Sequence, residues 1–106
     1  MNKQTIALVV QCPPDQSSSL CAFRLAQTIV SSNDATLSGI FFYGDGAYHA
    51  LRPVLDWSAL QVDLGVCVAS LQRRGGEEAV VGSFNSVGLG YLAALYQQNN
   101  KVIVLG

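Results

Sequence analysis

Short, almost continuously apolar runs recur along this chain, and helix-like segments separate them. Thr5 to Gln11 is the first run, Thr36 to Tyr43 the second, Val62 to Val68 the third and Lys101 to Leu105 the last. A strand that is apolar at consecutive positions buries both of its faces. That belongs in a parallel sheet with helices on either side, not in a sheet with one wet face. The segment Ala79-Val80-Val81 reads equally as a short strand or as part of a loop-helix.

The intervening segments supply the helices. Pro13-Pro14-Asp15 breaks the first strand, and Asp15 or one of Ser17 to Ser19 can cap the next helix. Leu20, Phe23, Ile29 and Val30, with Ala22 and Ala26, give that helix a broad apolar face up to Ser31. Gly44-Asp45-Gly46 is a sharp turn. Ala47 to Arg52 and Val54 to Leu60 read as two short helices. Gly75-Gly76 ends the helix after the third strand, and Ser86 caps a helix from Val87 to Gln98. The expected fold is α/β: a three-layer sandwich formed by one domain over residues 1–106. Its sheet is mostly parallel, with four to five strands and helices on both faces.

Charged residues make up only 12% of the 106 residues, against about a quarter in an average soluble domain. A small domain cannot cover its surface with so few charges, so an oligomer is expected. The net charge of −1 argues against direct nucleic-acid binding, which needs a basic stripe. No apolar run approaches the ~20 residues of a membrane helix. Ile6 to Val10 is too short for a signal peptide core and lacks a cleavage site, so a cytoplasmic protein is expected. Cys12, Cys21 and Cys67 are odd in number and irregular in spacing, which suggests no disulfide framework. Without a CxxC, and with one histidine, no zinc site is expected, nor any other metal or cofactor.

Ligand sites of open parallel sheets lie at the carboxyl ends of the strands. Cys12, Gly44-Asp45-Gly46 and Cys67 each follow a strand and are expected to converge there. Cys67 stands where the third strand meets a helix, Ala69 to Arg74. A helix N-terminus favours thiolate over thiol, and thiolate is the form that attacks sulfur. On local sequence alone, a buried cysteine that packs as a small hydrophobe is the commoner outcome. Gly88-Leu89-Gly90 lacks the strand and the chain position of a dinucleotide loop, so close helix packing is its expected role. A cysteine hydrolase would need His49, which has no third orienting group and reads as a surface histidine. Asp45 reads as a turn former, Tyr43 and Trp57 as core or interface aromatics, and Arg73-Arg74 as a solvated helix end.

The segment Val66-Cys67-Val68-Ala69-Ser70-Leu71-Gln72-Arg73-Arg74-Gly75 resembles the strand-Cys-Val-Ala-helix-Arg-Arg-Gly segment of the DsrE/TusD family of sulfur-relay proteins. Further blocks are similar in the same order. They are Cys21 to Gln27, Phe41 to Tyr48, Trp57 with Leu60, and Phe84 followed by Gly88-Leu89-Gly90 and Lys101 to Val104. The resemblance implies a DsrE-like fold and a sulfurtransferase that carries sulfur as a persulfide on Cys67, with no cofactor. It further implies protein donors and acceptors of sulfur, and a homo- or hetero-hexamer with homologous subunits. The pathway would be tRNA thiolation or sulfur oxidation. Compared with the family, the connections before Val62 and between Gly75 and Phe84 look short. Those departures favour an alternative: a structural or small-ligand-binding subunit whose Cys67 never carries sulfur.

Overall fold

The computed structural model describes residues 3–106. Five strands form one sheet: β1 (Gln4–Val10), β2 (Ala35–Phe42), β3 (Asp63–Cys67), β4 (Asn85–Val87) and β5 (Lys101–Leu105). Their order is β4-β3-β2-β1-β5, and every neighbouring pair is parallel. The register sets Val10 beside Phe42 and Phe42 beside Val66, so the carboxyl ends of β1, β2 and β3 form one level rim. A bulge at Ser38 shifts β2 against β1, which lets Leu37 and Ile40 face the same side.

The chain steps from β1 through β2 and β3 to β4 in one direction, towards one edge. Right-handed crossovers therefore stack α1 (Ser17–Ser31), α2 (Tyr48–Leu51) and α3 (Val68–Arg73) on one face. That face holds the main core: Leu8, Val10, Ile40, Phe42, Leu64 and Val66 against Ala22, Ala26, Ile29, Trp57 and Leu71. The passage from β4 to β5 runs back across the sheet, and α4 (Leu89–Gln98) lands on the other face. This helix lies over Ala7, Val9, Phe41 and Cys67, through Leu95, Tyr91 and Leu92. The sandwich is thus thick on one side and thin on the other.

Several local expectations are corrected. The inner face of α1 is Ser19, Ala22, Ala26 and Ile29, while Leu20 and Val30 are exposed. Small residues at this spacing let the helix lie close to the sheet. Its N-cap is Gln16, without a side-chain capping bond, because Ser19 turns inward to other partners. The fourth strand is Asn85–Val87, so α4 starts at Leu89 and not at Val87. Ala79-Val80-Val81 is neither strand nor helix; Val81 is tied to α2 by its N–H donating to the Ala50 carbonyl at 2.9 Å. Gly88 and Gly90 have open space where a side chain would be, so close helix packing is not their role. The close approaches lie elsewhere, at Gly39 and Gly65, where the ring of Tyr91 crosses the sheet.

Candidate functional site

Cys67 ends β3 and is the N-cap residue of α3, and its side chain makes no capping hydrogen bond. It points to the thin face, as Gly65 two residues earlier does. Ala7, Val9, Phe41 and Leu95 form its buried cluster, with Val87, Tyr91 and Leu92 packed against it. Its exposure is 1%, so the thiol is closed off from solvent. The cover is slight. Val87, its register partner, belongs to the three-residue edge strand β4, whose Asn85 and Ser86 are exposed.

Tyr91 fixes α4 over this site. A Cβ at Gly39 would lie 2.8 Å from the Tyr91 hydroxyl, and one at Gly65 would lie 2.8 Å from ring carbon Cε1. The two glycines thus leave a trench that the ring fills. At its end the Tyr91 hydroxyl donates to Asp63 Oδ2 at 2.8 Å. Burial, then the Asp63 carboxylate, push the phenol far above its ordinary range, so it stays a neutral donor. The Phe41 ring lies 5.7 Å from Tyr91 and 6.1 Å from Tyr43, extending the aromatic wall to the rim.

Cys12 lies beyond the end of β1 but belongs to the opposite face. It shares the carboxyl edge with Cys67, and the sheet separates the two side chains. Ser19 Oγ is 3.4 Å from Cys12 Sγ and donates to the Pro13 carbonyl at 2.6 Å. His49 completes this knot and is fully buried, contrary to the surface histidine expected. Trp57 Nε1 lies 3.2 Å from His49 Nδ1. An indole N–H can only donate, so Nδ1 accepts and the imidazole proton sits on Nε2. Nε2 lies 3.0 Å from the Cys12 carbonyl oxygen and 3.1 Å from Ser19 Oγ. Burial lowers the His49 pKa despite the Cys12 carbonyl, so the ring is neutral. On the far face and spent on structure, His49 does not serve Cys67 as a base. Cys12, Cys21 and Cys67 are all free, and only Cys21 is exposed.

The third feature of the rim, Gly44–Ala47, is a 3₁₀ turn. Asp45 does more than turn the chain: its Oδ1 accepts from Arg74 Nη2 at 2.6 Å. Arg74 Nη1 also donates to the Ser70 carbonyl at 2.9 Å, and Ser70 Oγ accepts from the Gly44 N–H at 2.9 Å. The guanidinium carbons of Arg52 and Arg74 each lie 5.5 Å from the centre of the Tyr48 ring. Arg73 is exposed, as a solvated helix end should be, but Arg74 is not. A cleft of about 320 Å³ opens here between Tyr43, Asp45, Tyr48, Ser70, Arg73 and Arg74. The sequence offers Ser19 only as a helix cap and gives no role to Ser70 or Tyr91. Their partners lie on other elements, and no spacing announces them.

The five strands, all parallel, and their helices form an α/β sandwich that is shared with known proteins. The chain matches the model of the DsrE/DsrF-like family over residues 4–105, and it belongs to that family. Among solved structures it is similar to the YchN protein from E. coli, with a TM-score of 0.73 and 20% identity. The match covers 96% of this chain and 99% of that one, and at this identity it shows the fold. No curated protein matches the sequence. Among the described residues no helix is long and apolar enough to cross a membrane, and no group of His, Cys, Asp or Glu side chains is placed to hold a metal ion.

Proposed function

We propose that the protein is a sulfur-carrier subunit, a sulfurtransferase that accepts and passes on sulfur as a persulfide on Cys67. The observation that carries the reading is the place of this thiol. In a DsrE/DsrF-like chain it ends β3 at the carboxyl rim and caps α3 without spending its sulfur on a capping bond. The Cys67 thiolate attacks the terminal sulfur of a donor persulfide. The donor S–S bond breaks, the donor leaves as a thiolate, and Cys67 holds the new S–S bond. An acceptor thiolate then takes the terminal sulfur and releases the Cys67 thiolate. The transfer moves sulfane sulfur with no net oxidation, and it needs no metal or nucleotide.

The setting we propose is a cytoplasmic relay between protein donors and acceptors, in tRNA thiolation or sulfur oxidation. The protein would act within a hexamer of like or homologous subunits. Sparse charge and the exposed apolar side chains Leu89, Tyr96 and Val104 around the thin face support assembly. The test is intact-mass measurement after incubation with a small persulfide donor. It should be done in a Cys21→Ser background, because Cys21 is the exposed thiol. One sulfur atom should be gained, and Cys67→Ala should abolish the gain. Alanine is the better replacement, since at 1% exposure a serine hydroxyl would be buried without a partner, at about 1–3 kcal/mol. Sulfur gained equally without Cys67 would refute the assignment.

The burial of Cys67 favours a second reading, in which the thiol only packs and the chain is a structural or ligand-binding subunit. The two differ in native-state reactivity. A carrier must let a reagent reach Cys67 without unfolding, and a packing residue need not.

A further inference from the structure

We propose that the cleft at the carboxyl rim of β2 and β3 is a binding site for a tetrahedral oxyanion of the phosphate or sulfate type. The inference does not depend on sulfur transfer at Cys67. Its basis is how charge and unspent donors are distributed. The chain carries a net charge of −1 and only six cationic side chains, yet three of them, Arg52, Arg73 and Arg74, gather around this one place. Against the two arginines that line the cleft stands one carboxylate, Asp45. An acidic chain that concentrates cations in a concavity focuses positive potential there.

The donors are held in place and partly unused. Arg74 is fixed by its bonds to Asp45 Oδ1 and the Ser70 carbonyl and by the Tyr48 ring, so its planar fork is oriented in advance. Each terminal nitrogen of Arg74 carries two protons, and each makes one bond. Arg73 has no ion-pair partner among the described residues. Ser70 is 6% exposed; its oxygen accepts from the Gly44 N–H, while its own proton has no acceptor among the described residues. A buried hydroxyl with an unspent proton beside two guanidiniums matches the needs of an oxyanion. The volume, about 320 Å³, admits more than a bare ion. The Tyr43 ring, 39% exposed on one wall, suits an ester whose organic part stacks there.

The test is a titration of the folded chain with inorganic phosphate, and separately with adenosine monophosphate, at constant ionic strength. Backbone amide NMR shifts are the readout. Saturable shifts at Gly44, Ser70 and Arg73 are expected. Tighter binding of the ester would identify an organic phosphate as the occupant, and equal binding the free ion. Arg73→Gln touches no internal partner and should keep the fold while weakening binding about tenfold. Asp45→Asn removes the one competing carboxylate and should tighten binding several-fold, whereas a purely structural Asp45 would predict loss or no change. Absence of saturable shifts at millimolar anion overturns the proposal. So does binding that is unchanged by Arg73→Gln or not tightened by Asp45→Asn in a folded variant.

Discussion

Cys67 should react with a small alkylating agent through local opening of the sheet edge and not through unfolding. The magnitude is set by the cover over the thiol. Strand β4 is joined to β3 by three register pairs, Gly65–Asn85, Val66–Ser86 and Cys67–Val87. Detaching it breaks up to about three edge hydrogen bonds, at about 1 kcal/mol each. It also exposes the half-buried Val87 side chain, which adds about 1 kcal/mol. An opening cost of about 3–4 kcal/mol slows labelling about 10²- to 10³-fold relative to the unfolded chain. Global unfolding at about 6 kcal/mol or more would slow it at least about 10⁴-fold. The assay is time-resolved alkylation read by intact mass, with exposed Cys21 as the internal reference and mild urea as a second variable. Local opening gives a rate nearly independent of urea. A Cys67 rate that tracks the global unfolding constant, with the full urea dependence, would refute the reasoning. It would also favour the packing role.

His49 makes stability depend on pH. Its folded pKa is lowered from 6.5 by burial, so the unfolded chain binds the proton first as pH falls. Stability is therefore complete above pH 6.5 and is lost as pH drops below it, as urea midpoints between pH 7 and 5 should record. In His49→Gln the slope across that window should vanish. Gly46→Ala should destabilise by more than about 3 kcal/mol, because the new Cβ would overlap the Val10 carbonyl in the rim of the sheet. A loss under 1 kcal/mol in chemical denaturation would show that the rim can shift to admit it.

Central strand β1 was legible because a parallel strand buried on both faces is apolar at consecutive positions, as Ala7 to Val10 are. Edge strand β5 was legible from its apolar run alone, although Val104 is exposed. The end of α3 was legible too. Gly75 there has a φ of 64°, and the N–H groups of Gly75 and Gly76 close back on the Gln72 and Leu71 carbonyls. Strand β4 was not, because Asn85-Ser86-Val87 is short, polar and at an edge, with no apolar run to mark it. Nor was the burial of His49. It depends on Trp57 and Ser19, which reach it from two other segments once the fold exists. Cys67 was found through its junction and its resemblance, but its facing was not. Which side of the sheet a rim residue meets depends on register, and register set Cys12 and Cys67 on opposite sides.

The thin face makes one further demand that can be tested at a single atom. Gly65 precedes Cys67 by two residues on the same side of β3, and its missing side chain admits both elements of the cover. A Cβ there would lie 2.8 Å from Tyr91 Cε1 and 3.1 Å from Val87 Cγ2. Gly65→Ala therefore presses on α4 and β4 together, while the thick-face core, packed on the other side of the sheet, is left alone. Overpacking of this kind costs about 1–3 kcal/mol. If the cover moves as a local unit, most of that strain is relieved when it opens. Cys67 alkylation should then speed up by about tenfold or more at urea concentrations where the global transition is far away. If Cys67 is reached only through global unfolding, labelling of the variant stays at the rate set by its unfolding constant and carries the full urea dependence of that constant. That result would show that Cys67 has no door of its own.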